Sequence, residues 1–166
     1  MICLSINLMF GQFQNIDKKG LIEAEKNRAS RGTLDINVNP NTLNYDLTYI
    51  RLELDLDPNQ QYVSGTVTSH FKILQNSSDI YFDLADNLTV SNVKYHGQDL
   101  TFQQLNTDEI KINFPASVLA QTTDSLSITY SGVPDGSVNA FVASQTQAGN
   151  PVLVTLSEPF GAKEWW

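Results

Sequence analysis

Ile50-Arg51-Leu52-Glu53-Leu54-Asp55-Leu56 alternates apolar and charged side chains without a break. After the turn signal Asp57-Pro58-Asn59 the alternation resumes: Val63, Gly65, Val67, Phe71 and Ile73 interleave with Ser64, Thr66, Thr68, His70 and Lys72. Successive side chains of an extended chain point to opposite faces, so a period of two gives each run one wet and one dry face. These two runs predict a pair of half-buried strands.

Working outward from them, Asn76-Ser77-Ser78 turns the chain again. Shorter strands are expected around Ile80–Leu84, Leu88–Tyr95, Leu100–Leu105, Glu109–Phe114, Ser125–Tyr130, Ala140–Ser144 and Val152–Leu156. His96-Gly97-Gln98, Asn106-Thr107-Asp108, Pro134-Asp135-Gly136 and Gly149-Asn150-Pro151 separate them. About nine short strands at this spacing predict an all-β, largely antiparallel sheet or sandwich domain. Upstream, residues 17–31 read as a short, mostly solvated helix: Asp17 can cap it, Gly32 can end it, and its apolar content is thin. Residues 35–44 are an Asn/Pro-rich connector.

The chain has 166 residues, 41% hydrophobic and 17% charged, which suits one domain with a short extension. Its net charge of −8 is unevenly spread. Residues 1–34 carry five basic and three acidic side chains, residues 35–166 five basic and fifteen acidic. An acidic body argues against a nucleic-acid partner, whose phosphates call for Lys/Arg clusters. No apolar run approaches the roughly 20 residues that span a bilayer.

Residues 1–11 open with Met1-Ile2-Cys3-Leu4-Ser5-Ile6-Asn7-Leu8-Met9-Phe10, a run without side-chain charge. It reads as the remnant of a secretory signal peptide, with a buried N-terminal strand as the alternative. The signal reading predicts a secreted, periplasmic or cell-surface protein. The division expected is thus a leader (1–11), a helix and linker (12–43) and a β-domain (44–166).

One cysteine, Cys3, and two histidines, His70 and His96, leave no multi-Cys or multi-His zinc site in this chain. No H-E-x-x-H, no G-x-S-x-G and no phosphate-binding glycine loop occurs. His70 lies in the polar phase of its strand and His96 in a turn, so both read as solvated. The acid pairs Asp55/Asp57 and Asp108/Glu109 fall at strand ends and turns and read as solvated too. No catalytic set and no cofactor site is expected here.

The far end is different. Val154 to Trp166 leaves an alternating strand, passes through Ser157-Glu158-Pro159-Phe160-Gly161-Ala162-Lys163-Glu164, and finishes on Trp165-Trp166. Two terminal tryptophans form an apolar patch that calls for a covering surface. The expectation is an interdomain contact at Trp165 and Trp166; the alternative is that both fold back onto the domain's own sheet.

At these residues the chain resembles the N-terminal domain of the aminopeptidase N family of zinc metallopeptidases, the gluzincins. In that family a strand carries Thr-x-x-Glu/Gln, then Ala-Arg, then aromatic residues. Thr155, Glu158, Ala162, Lys163 and Trp166 stand at those positions, with Lys163 where Arg is usual. Ile128-Thr129-Tyr130-Ser131-Gly132 and Tyr45-Asp46-Leu47 resemble two further strands of the family, whereas Ala140-Phe141-Val142 departs from its Gly-aromatic element. The secreted bacterial branch resembles this chain in Ser157–Ala162 and in Asn39-Pro40-Asn41-Thr42.

The resemblance implies a saddle-shaped, largely antiparallel β-domain that packs on a catalytic domain absent from this chain. Zinc would belong to that missing domain. The resemblance also implies that Glu158 binds the substrate's free α-amino group. Read without it, Glu158 neutralises Lys163 or caps a turn before Pro159. The expected function is therefore the non-catalytic N-terminal domain of a secreted zinc aminopeptidase, with the peptide N-terminus and the catalytic domain as partners. The competing reading is a secreted β-sandwich module for carbohydrate or another cell-surface ligand, drawn from the Asn/Ser/Thr-rich surface and from Tyr49, Tyr62 and Tyr81. A structural linker domain is the third.

Overall fold

The structure, a computed structural model, describes residues 39–134, 140–157 and 161–166. The leader run, the helix expected over 17–31 and Glu158 lie outside the described residues. Val38–Trp166 forms one compact unit. Its described residues hold ten strands: β1 (Tyr45–Asp55), β2 (Val63–Ile73), β3 (Ser77–Asp83), β4 (Leu88–Tyr95), β5 (Gln98–Asp99), β6 (Phe102–Leu105), β7 (Glu109–Val118), β8 (Thr123–Gly132), β9 (Phe141–Gln145) and β10 (Pro151–Thr155). Two 3-10 turns, Pro40–Thr42 and Ala162–Glu164, are the only helical elements among the described residues. The expected all-β, antiparallel class is what the chain adopts.

The strands form a five-stranded sheet in the order β1-β2-β8-β4-β5, a three-stranded sheet β3-β7-β6, and the hairpin β9-β10. Every pairing is antiparallel. The two larger sheets share one core. Val63, Val67, Phe71 and Ile73 of β2, Leu126, Ile128 and Tyr130 of β8, and Leu88, Val90, Val93 and Tyr95 of β4 meet Ile80, Ile110, Ile112 and Phe114 of the other sheet. Burying side chains of this size stabilises by roughly 1.5–3 kcal/mol each.

Two bulges keep the dry face dry. In β1 the register shifts between Leu47 and Tyr49, so the residues packed on the core are Tyr45 before it and Ile50 and Leu54 after it. In β4 the shift falls between Val90 and Asn92, and the inward set changes phase from Leu88 and Val90 to Val93 and Tyr95. One extra residue restores the face that a strict period of two would lose.

β1, whose alternation is the cleanest in the sequence, is an edge strand with no fully buried residue. Leu52 is 37% and Tyr49 57% exposed. It lies close against β2 because position 65 is glycine: a Cβ there would sit 2.3 Å from the Glu53 carbonyl oxygen.

Candidate functional site

β10 ends at Thr155, and the described residues that follow, 156–157 and 161–166, are held by several hydrogen bonds. The Leu156 N–H donates to the Ala140 carbonyl at 2.9 Å, and the Gly161 N–H to the Ser157 carbonyl at 3.1 Å. Ser157 Oγ accepts from the Trp165 indole N–H at 3.3 Å. The 3-10 turn Ala162–Glu164 is closed by Trp165 and Trp166, whose N–H groups donate to the Ala162 carbonyl at 3.0 and 2.9 Å. Position 161 must be small. A Cβ there would meet the Ala140 Cβ at 2.8 Å and the Leu156 carbonyl oxygen at 3.1 Å.

The tryptophans are not presented as an open patch, contrary to the expectation of an exposed Trp-Trp end. Trp165 is 9% exposed and forms a second small core with Ala140 and Phe141, its ring 5.7 Å from that of Phe141. Leu54 and Leu153 close this core from β1 and β10. Trp166 is half-buried, edge-on to Trp165 at 6.1 Å, and touches both cores. The physical reason is the space left beside β1: apolar area goes to the nearest dry surface, here the chain's own.

Below this segment three stretches of chain meet at one corner. The Lys163 ammonium pairs with the Asp108 carboxylate. The Lys163 carbonyl accepts from the Ala85 N–H at 2.9 Å. Asp108 also accepts from the Asp86 N–H at 3.2 Å, and its carbonyl from the Leu84 N–H at 2.9 Å. The hydrogen bond from Lys163, working against partial burial, holds the Asp108 carboxyl below its ordinary range. Asp108 adopts φ 55°, a left-handed turn conformation that Asp tolerates better than most residues.

Glu109, the next residue, faces the other way along the chain. It is 8% exposed and accepts from the Thr107 hydroxyl at 2.6 Å, the Asn41 amide at 3.0 Å and the Asn39 amide at 2.5 Å. Those three bonds, Thr107's foremost, hold its carboxyl low. The Asp108/Glu109 pair, read from sequence as solvated acids, is thus a double clasp. The corrected reading follows from the donors that converge on it, two of them in the Asn-Pro-Asn-Thr stretch nearly seventy residues earlier, a separation that local pattern does not reveal.

A second polar cluster lies at the β4–β5 hairpin. Asp124 is largely buried, which favours its neutral form. The Tyr95 hydroxyl at 2.5 Å, the Ser125 N–H at 2.8 Å and the His96 imidazole at 2.9 Å outweigh that and hold its carboxyl below the ordinary range. His96 and Gly97, with φ 50° and 77°, form the left-handed two-residue turn that suits a hairpin. Beside it a shallow polar hollow of about 480 Å³ is lined by Thr66, Lys94, His96, Ser125, Ser127 and Thr129. Three of its hydroxyls are paired within the sheet, Thr66 with Thr129 at 2.9 Å and Ser127 with Thr68 of the next row at 2.8 Å. A hydroxyl satisfied within a sheet is a surface feature, not an activated nucleophile.

The tyrosines of the carbohydrate reading do not gather. Tyr49 stands on the outer face of the five-stranded sheet, edge-on to His70 at 5.3 Å. Tyr81 stands on the outer face of the opposite sheet, where Lys111 approaches its ring at 5.5 Å. Tyr62, 41% exposed, precedes β2. Among the described residues no group of three or more His, Cys, Asp or Glu side chains is placed to hold a metal, so these residues do not fit a zinc ion. No helix among them is long and apolar enough to cross a membrane.

The model of the peptidase M1 N-terminal domain matches residues 41–166. Among solved structures, an M1 zinc metallopeptidase from Deinococcus radiodurans superposes with a TM-score of 0.60 at 23% identity, over 75% of this chain and 28% of its own. Leukotriene A4 hydrolase from Saccharomyces cerevisiae does so with a TM-score of 0.61 at 19% identity, over 87% of this chain and 24% of its own. At these identities the likeness carries the fold. The chain spans about a quarter of the length of those relatives. No curated protein matches it.

Proposed function

The chain belongs to the peptidase M1 N-terminal domain family, and on that premise we propose that it is the amine-recognising β-domain of a longer zinc aminopeptidase. The observation that carries the reading is the anchored exit segment. Thr155, Glu158, Ala162 and Lys163 fall within the matched residues, and Ser157 and Gly161 on either side of the Glu158 stretch are fixed by main-chain bonds.

In this reading the Glu158 carboxylate takes the α-ammonium of a peptide. A charge-assisted hydrogen bond in a partly dry cleft is strong and short-ranged. It sets the register of the substrate, so that only the first peptide bond reaches the metal. Zinc, which supplies Lewis-acid chemistry and a bound-water nucleophile, would be held by the catalytic portion of the longer protein. Val154 and Leu156, 52% and 60% exposed, and the half-buried Trp166 are apolar surface that such a portion could cover. Export to the cell surface or beyond is part of the proposal, on the strength of the leader run alone.

The test uses the full-length protein. Glu158→Ala should lower kcat/KM for dipeptide anilides with a free amino terminus about ten- to a few-hundredfold. N-acetylated substrates should lose their disadvantage, and Glu158→Gln should fall between. Unchanged efficiency together with unchanged discrimination would overturn the assignment of Glu158.

A further inference from the structure

We infer that the outer edge of β1 is a self-association surface: two copies of the chain pair antiparallel through Tyr49–Asp55, about a two-fold axis at Leu52, and so continue one five-stranded sheet into the other. The inference is independent of the reading of Glu158.

β1 is 11 residues long, and β2 is its only hydrogen-bonded neighbour strand among the described residues. Such a strand presents a row of main-chain N–H and C=O groups on its far side, a template for a further strand. The other edges of the two larger sheets are blunted. β5 has two residues and β6 four. In β3 the Asp79 and Tyr81 carbonyls accept from the Asn44 amide at 3.4 Å and the Tyr45 hydroxyl at 2.7 Å. β1 carries neither proline nor lysine, the residues that commonly guard an edge. Its one irregularity, the bulge between Leu47 and Tyr49, leaves Tyr49–Asp55 as an uninterrupted run with Leu52 at its centre.

The side chains of that run choose the register. Residues directly opposite each other in an antiparallel pair share a face, so opposite charges there favour pairing and like charges oppose it. With the axis at Leu52, Arg51 of each copy stands opposite Glu53 of the other, Ile50 opposite Leu54, and Tyr49 opposite Asp55. Arg51 and Glu53 lie on the polar face with Thr68 and Thr66, and their side chains are 57% and 55% exposed. An axis at Arg51 would set two guanidinium groups against each other, one at Glu53 two carboxylates, and one at Leu54 would set Glu53 against Asp55. An axis at Ile50 faces Arg51 with Tyr49 and makes no ion pair. On the other face, Leu52 pairs with the buried Val67 of β2 yet is itself 37% exposed. Its twin on the axis covers it, flanked on both sides by Ile50 against Leu54. Charge and apolar area thus select the same register.

The test is sedimentation equilibrium of the full chain over a wide concentration series, because one strand pair makes a small interface and a weak dimer. The wild type should show a reversible monomer–dimer equilibrium. Arg51→Glu and Glu53→Arg each set like charges opposite one another twice, and each should weaken it about tenfold or more. Mixing these two variants restores opposite charges at both pairs, so the mixture should form a heterodimer of about wild-type strength. Leu52→Lys places two ammonium groups on the axis and should stay monomeric. A wild type that is monomeric throughout overturns the inference, whether its β1 edge is open or filled by another part of the chain. A dimer that all three variants leave unchanged lies on another surface and overturns it equally. So does a mixture of the two folded charge variants that fails to associate. Should Leu52→Lys not fold, the mixing experiment decides, since both of its substitutions fall on exposed side chains.

Discussion

The Tyr130 hydroxyl donates to the Trp165 carbonyl oxygen at 2.7 Å, with both residues buried. This bond joins the third strand of the main sheet to the last residues of the chain, and it lies where the two cores meet. Tyr130 Oη is the donor for a carbonyl that water does not easily reach.

Tyr130→Phe therefore leaves that carbonyl without its partner while keeping the ring. The expected loss is about 1–3 kcal/mol, the cost of an unsatisfied buried acceptor. Urea denaturation should show a lower midpoint at an unchanged slope. An unchanged midpoint would mean that the bond contributes nothing.

Glu109→Ala removes one acceptor from three donors, Thr107, Asn39 and Asn41. A loss of about 1–3 kcal/mol is expected in the same assay. The acid limb gives an independent check. Glu109 in the folded chain titrates below its unfolded value, so its stabilisation is complete above about pH 5 and is lost as pH falls through the folded pKa. Glu109→Gln should flatten the pH dependence in that window, and an unaltered acid limb would contradict the network.

Gly161→Ala places a methyl group against Ala140 and the Leu156 carbonyl. Overpacking of this kind costs about 1–3 kcal/mol. The second variant Ala140→Gly, which removes the methyl it strikes, should recover part of the loss when combined with it. Calorimetry on the two singles and the double measures the coupling, and simple additivity would place the clash elsewhere.

Alkaline pH should destabilise the domain through its buried phenols. Burial, reinforced by the Asp83 charge, pushes Tyr45 up, and burial alone pushes Tyr130 up. Burial, together with Asp124, pushes Tyr95 up to about 12. The unfolded chain ionises these groups near pH 10 while the folded chain keeps them neutral, so their stabilisation is intact below about pH 10 and is lost as pH rises through the folded values. Tyr45 and Tyr130 should each add a downward slope of up to about 1.4 kcal/mol per pH unit in that window. Denaturant midpoints between pH 9 and about 11.5 should fall for the wild type and fall less steeply for Tyr130→Phe.

The strand set was legible because alternation and turn chemistry agree along most of the chain: β4 runs over Leu88–Tyr95, as the pattern predicts. The bulges were legible in principle. The apolar positions 45, 47 and then 50, 52, 54 change parity once, as do 88, 90 and then 93, 95, and a change of parity within one strand is the mark of an inserted residue. What pattern cannot supply is which strand lies at an edge, and so the cleanest alternation belongs to an edge strand with no fully buried residue. Pattern is equally silent on long-range polar partners. Asp108 and Glu109 look like any acidic turn until Lys163 and Asn39 are brought to them. The tryptophans show the converse: their need for cover is plain in the sequence, whereas the surface that covers them depends on where β1 and the β9–β10 hairpin fall.

Asp108 grips a residue near the last position described and Glu109 grips the first, and the two are adjacent in sequence, with Cα atoms about 3.8 Å apart. The two ends of the described span therefore meet at one corner, a loop closed in everything but a covalent bond. Such a unit is a cassette. It can be lifted from one longer chain into another through a single doorway, and its ends can be joined and reopened at a distant hairpin without unthreading the sheets.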